Sequence, residues 1–195
     1  RSLGVNNIPW KTCSYSCIYC QLGKAITMQA ERQLFYDPEE LYRQVASRID
    51  LINRDELFPE FITIVPDGEP TLDARLGVLI ERLKAFSIPV AVITNSSLMD
   101  RSDVCEDLNR ADYVSVKVDA ISPEIWHRIN KPLKTLDLDK ILNGIHAFSN
   151  SYQGTLTTET MLISGMNDQT KELDALAGFM ATIEPFKAYL AIPTR

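Results

Sequence analysis

Apolar residues along this chain follow two alternating rhythms. After Asp37-Pro38-Glu39-Glu40, the residues Leu41, Val45, Ile49 and Ile52 recur at helical spacing. Asp is a natural cap, Pro suits the first helical position, and acids complement the positive helix start. A short apolar run, Phe61 to Val65, reads as a strand and stops at Pro66-Asp67-Gly68-Glu69-Pro70. Leu76, Leu79, Ile80, Leu83 and Phe86 mark the next helix, and Val90 to Thr94 a buried strand ending at Asn95. A short helix over Ser102 to Asn109 precedes a strand over Tyr113 to Asp119. Ser122-Pro123-Glu124 opens a short helix carrying Trp126, and Leu138, Ile141, Leu142, Ile145 and Phe148 mark a longer one. Thr155 to Ile163 is a strand rich in β-branched residues. Leu173, Leu176, Phe179, Met180 and Ile183 mark the last helix, and Phe186 to Ile192 the last strand. With Ser2 to Ile8 as a first strand, the chain holds about six β/α units.

Strands alternating with helices predict an α/β fold: a parallel sheet, helices outside, right-handed connections. A closed eight-unit barrel takes about 250 residues. At 195 residues, a partial, open (β/α)6 TIM-like barrel fits, with a flat doubly wound sheet as the competing architecture. In either, ligands bind at the C-terminal ends of the strands. Residues 1–195 read as one domain, and the start at Arg1 rather than Met reads as a fragment.

Composition is that of an ordinary globular domain, 45% hydrophobic and 24% charged. No apolar run approaches the roughly 20 residues of a membrane span, and no signal-peptide pattern opens the chain. The net charge of −6 lacks the basic footprint of a nucleic-acid binder.

Three of the four cysteines fall within eight residues, in Lys11-Thr12-Cys13-Ser14-Tyr15-Ser16-Cys17-Ile18-Tyr19-Cys20-Gln21-Leu22-Gly23. Three such thiols leave one without a local disulfide partner, so metal binding in a reducing cytoplasm is the better reading. The spacing C-x3-C-x2-C supplies three thiolates for three irons of a [4Fe–4S] cluster and leaves the fourth iron open to a ligand. The competing reading is zinc, which in structural sites takes four ligands. His127 and His146 lie far from the loop and outside a zinc-finger spacing. A zinc-stabilised binding domain and an Fe–S electron-transfer or sensor module are therefore the alternatives.

With Tyr19 before the last cysteine, the motif resembles the radical S-adenosylmethionine (SAM) signature. The string from Arg1-Ser2-Leu3-Gly4-Val5 through Gln21-Leu22-Gly23 resembles radical SAM proteins related to wyosine synthases. The resemblance implies metal ligation by Cys13, Cys17 and Cys20, with SAM's methionine amino and carboxylate groups on the open iron. It also implies reductive SAM cleavage to a 5′-deoxyadenosyl radical that abstracts hydrogen from a substrate. A reductant such as flavodoxin or ferredoxin is expected, and a tRNA base is one substrate the resemblance suggests.

Other motifs fall at strand ends. Asp67-Gly68-Glu69-Pro70 resembles the family's GGE motif, with Asp67 in place of its first Gly; this makes Gly68 and Glu69 candidates for SAM's amino group, against the reading of a plain turn. Asn95 is either a ligand contact or an Asx turn. Ser115, Lys117 and Asp119 share one face of a strand by period two. Ser115 and Lys117 are candidates for SAM contact, against an internal ion pair of Lys117 with an acid. Leu162-Ile163-Ser164-Gly165-Met166-Asn167-Asp168 resembles a family segment in which Ile163 packs on adenine, and Asp168 reads as a helix cap. Ile192, before Pro193, is a further adenine candidate, with Thr194 and Arg195 beside it. Cys105 reads as a small buried hydrophobe, Trp126 as packing, and His127 and His146 as carrying no chemistry.

Overall fold

The computed structural model describes residues 1–54 and 58–193. Its main sheet has six strands: β1 (Ser2–Val5), β4 (Phe61–Ile64), β5 (Val90–Thr94), β6 (Tyr113–Lys117), β7 (Thr155–Met161) and β8 (Lys187–Ala191). Every neighbouring pair is parallel, and the spatial order is the order along the chain. A doubly wound sheet reverses its strand order at a switch point. No reversal occurs here, so the open barrel is the architecture adopted.

The connecting helices are α1 (Pro38–Arg54), α2 (Leu76–Lys84), α3 (Ser102–Leu108), α4 (Pro123–Asn130), α5 (Leu138–Ser151) and α6 (Thr170–Ile183). Asp37 caps α1 as its sequence predicts, its side chain accepting the Glu39 N–H. Leu76, Leu79, Ile80 and Leu83 of α2 are fully buried in a continuous apolar core with Ile62, Ile64, Val90 and Val92 of β4 and β5. Each such side chain contributes about 1.5–3 kcal/mol relative to exposure. Val114, Val116 and Val118 join the same core, so alternation along β6 turns Ser115 and Lys117 to the opposite, inner face. That face is less covered: Ile93 is 42% exposed. Core and site thus occupy opposite sides of one sheet.

Several features depart from the sequence expectation, among them the strand expected to reach Asp119, which ends at Lys117. The cysteine loop contains a two-residue parallel ladder between β2 (Thr12–Cys13) and β3 (Thr27–Met28), too short to leave a hydropathic trace. The strand expected to reach Ile163 stops at Met161. Beyond it the buried Asn167 takes over the backbone, accepting the Ile163 N–H at 2.7 Å and donating to the carbonyls of Met161 and Asp119, both at 2.8 Å. Asp168 is not the cap of α6. Gln169 holds that position without a side-chain bond, and Asp168 instead accepts the Gly165 N–H at 2.9 Å, closing the turn ahead of the helix.

Candidate functional site

The cysteine loop follows β1 and lies across the C-terminal ends of the strands. Its backbone is pinned to the end of α4, with Ser16 N–H donating to the Asn130 carbonyl at 3.0 Å and Ile18 N–H to that of Ile129 at 2.9 Å. Trp126 supports it from below. Its indole N–H donates to the Tyr15 hydroxyl at 3.2 Å, and the two rings meet edge to face with centroids 5.8 Å apart.

Gly68 brings the loop after β4 against this segment. A Cβ at Gly68 would sit 1.9 Å from the Thr12 carbonyl oxygen, which itself accepts the Glu69 N–H at 3.1 Å. The close approach that requires glycine is therefore to the protein's own cysteine loop.

Glu69 is wholly buried. Its Oε1 accepts the Thr71 N–H at 3.0 Å and the hydroxyls of Thr71 and Thr94, both at 2.6 Å, and its Oε2 accepts the Asn95 N–H at 2.7 Å. Burial raises its pKa, and these four donors pull it back. The carboxylate thereby joins the ends of β4 and β5.

Cys13, Cys17 and Cys20 line one cleft of about 570 Å³ at the C-terminal face of the sheet, within the size of small-molecule sites. Tyr19, Gly68, Asn95, Lys117 and Ile192 line it too. Ser115 and Ile163 do not, and Glu69 lies beneath its wall. Asp119, two residues past the end of β6, accepts from the Tyr19 hydroxyl, from Asn130 Nδ2 at 2.6 Å and from the Met161 N–H at 2.8 Å. Lys117 forms an ion pair with Glu159, and its Nζ stands 5.1 Å from the centroid of the Tyr19 ring. Glu159, Met161 and Asn130 escaped the sequence reading. The first two share a period-two face of β7 with Thr157, a signal that was present. Asn130 closes a short helix and carried none.

Burial, with Glu69 nearby, pushes the Cys13 thiol up to about 12, and burial pushes Cys17 up to about 11. Such thiols lose their protons readily only to a metal, which takes the proton's place. Among the described residues no three His, Cys, Asp or Glu side chains are placed to hold a single metal ion. A cluster asks less convergence, because each thiolate meets its own iron. Cys105 stands apart on α3, half-buried, its Sγ 3.4 Å from the Met99 carbonyl.

A sequential parallel half-barrel with three cysteines at its C-terminal mouth defines a class. The chain belongs to the radical SAM superfamily, whose profile matches residues 7–177. Within it, the chain stands with the UPF0026 proteins. It is 45% identical to UPF0026 protein MJ1312 of Methanocaldococcus jannaschii over its full length, spanning 60% of that relative. It is 35% identical to UPF0026 protein slr1464 of Synechocystis, again over its full length and spanning 71% of that relative. A more distant relative, the probable GTP 3′,8-cyclase of Thermococcus kodakarensis, is 26% identical over 80% of this chain and 46% of its own. Among solved structures, TYW1 with a lysine–pyruvate adduct bound superposes with a TM-score of 0.76 at 19% identity, covering all of this chain and 65% of that one. The superfamily and the partial-barrel fold that the sequence implies are both upheld.

No described helix is long and apolar enough to cross a membrane. Thr194 and Arg195 lie outside the described residues.

Proposed function

We propose that this chain is the core of an enzyme that cleaves SAM reductively at a [4Fe–4S] cluster held by Cys13, Cys17 and Cys20. The observation that carries the reading is that all three cysteines open into one cleft large enough for a further ligand, at the end of a parallel barrel where ligands bind. When bound, the cluster and SAM supply an electron and a 5′-deoxyadenosyl radical for hydrogen abstraction.

This chain's residues bind, orient and shield. Gly68 lets the strand-end loop close on the cysteine loop. Glu69 acts through Asn95, whose backbone it holds. The Lys117 ammonium, paired with Glu159, offers a polar anchor on the inner face. Ile192, 76% exposed at the rim, offers an apolar surface for adenine. For the substrate we favour a purine base, in keeping with the name of the cyclase relative; the net charge of −6 argues against long contact with a phosphate backbone. A flavodoxin or ferredoxin supplies the electron, in a cytoplasm reducing enough to keep the thiols free.

An electron-transfer module would use a fourth thiolate. Cys105 lies on α3 and does not line the cleft, which favours the enzyme. The test is anaerobic reconstitution with iron and sulfide, followed by EPR of the reduced cluster with and without SAM. A spectrum that changes on adding SAM is expected; a loaded cluster blind to SAM contradicts the proposal.

A further inference from the structure

Two asparagines from different elements each aim an amide N–H at a different cysteine of the cleft. Asn95 Nδ2 lies 3.4 Å from Cys13 Sγ, and Asn130 Nδ2 lies 3.4 Å from Cys17 Sγ. Both amides are locked in this sense by other bonds. Asn95 Oδ1 accepts the Ser97 N–H at 2.9 Å while its Nδ2 also donates to Ser14 Oγ at 2.9 Å. A flip would set an NH2 group against the Ser97 N–H. Asn130 Nδ2 donates to Asp119 Oδ2 at 2.6 Å, and a flip would set its carbonyl against that carboxylate. Asp119 is itself held by Tyr19 and the Met161 N–H. The orientation of Asn130 persists although its Oδ1 is buried without a partner. A buried unpaired carbonyl costs about 1–3 kcal/mol, so the bonds on the NH2 side outweigh it.

Resting on the cluster reading above, we propose that Asn95 and Asn130 set the reduction potential of the cluster by donating hydrogen bonds to its ligating sulfurs, Cys13 and Cys17. Adding an electron makes the cluster–thiolate unit more negative. A fixed N–H donor stabilises that reduced form more than the oxidised one and raises the potential. The two donors come from different elements and meet different sulfurs, one from the end of β5 and one from the end of α4. Their effects should therefore be separable. Neither residue transfers a proton or an electron; each makes the cluster easier to reduce by the external donor.

The test is an EPR-monitored redox titration of the reconstituted protein and of Asn95→Ala, Asn130→Ala and the double variant, with iron and sulfide counted in each. Asn130→Leu, close in size but without a donor, guards against a packing defect in the alanine variant. At the potential that reduces half of the wild-type cluster, we expect the ratio of reduced to oxidised cluster to fall about tenfold in each single variant, the scale of one hydrogen bond to a charged group. The double variant should fall further, with iron content unchanged. Full loading with an unmoved potential in all variants, even with lowered melting temperatures, would reduce both asparagines to structural groups and overturn the proposal. A wild-type chain that loads no cluster contradicts the cluster reading itself and removes this one with it.

Discussion

Lys117 and Glu159 stand opposite each other in register on β6 and β7, and their side chains close an ion pair on the inner face of the barrel. The pair is neither buried core nor free surface, with side-chain exposures of 20% and 39%. Partly solvated pairs of this kind contribute at most about 1 kcal/mol to stability. Its position in the cleft makes it a direct test of the proposed SAM contact. Lys117→Met should leave the melting temperature nearly unchanged while weakening SAM binding at least about tenfold, the worth of one charge-assisted hydrogen bond. Equilibrium dialysis with labelled SAM measures this, and an unaltered affinity would exclude Lys117 from the SAM site.

Glu69 should behave in the opposite way. Its carboxylate serves four donors from three residues in a fully buried setting. Glu69→Ala strands those donors and is expected to cost about 3 kcal/mol or more. Glu69→Gln, which keeps one carbonyl oxygen, should cost less. Urea unfolding of the cluster-free protein makes the comparison. A Glu69→Ala variant as stable as the wild type would free Glu69 for ligand binding alone.

Gly68→Ala places a methyl group 1.9 Å from the Thr12 carbonyl and 2.8 Å from Ile8 Cδ1. The strand-end loop and the cysteine loop must then separate. We expect a loss of about 2–3 kcal/mol and less than about half the wild-type iron on reconstitution, since the displaced segment carries Cys13. Gly4→Ala is the control, because its Cβ would meet only Val65 at an ordinary 3.7 Å. Equal iron in both variants would contradict this account of the glycine.

The Cys105 thiol is pushed up to about 11, first by burial and then by Asp100, Asp103 and Glu106 nearby. An unfolded cysteine titrates near 8.5. From about pH 8.5 to 11 the folded chain therefore holds a proton that the unfolded chain releases, and the stability this confers below pH 8.5 is lost as pH rises through 11. Alkylation at pH 8 should accordingly run more than about a hundredfold slower at Cys105 than at an unstructured cysteine, rising about tenfold per pH unit. Peptide mass spectrometry after iodoacetamide treatment reads the rate. A fast reaction that levels off above about pH 9 would show an open thiol.

The main architecture was legible because each strand and helix repeats its apolar residues at its own period. Val114 and Val116 declared one face of β6, and Ser115 and Lys117 the other. The cysteine spacing set three thiols in one loop, and the fold turns all three to one cleft. What stayed hidden depends on approach across the fold. Nothing near Asn130 in sequence shows that its amide meets Cys17 and Asp119. Asp168 has the right residue type and place for a cap, yet Gly165 claims its carboxylate first. The role of Asn167 requires knowing that two strand ends lie side by side.

The measurement that bears most directly on the central claim is 5′-deoxyadenosine formation. The reconstituted protein, reduced with dithionite under anaerobic conditions, is incubated with SAM, and the products are separated by chromatography beside a Cys17→Ala control. The account predicts 5′-deoxyadenosine and methionine from the wild type and neither from the control. A fully loaded cluster that yields no 5′-deoxyadenosine, or a control that yields as much as the wild type, would contradict it.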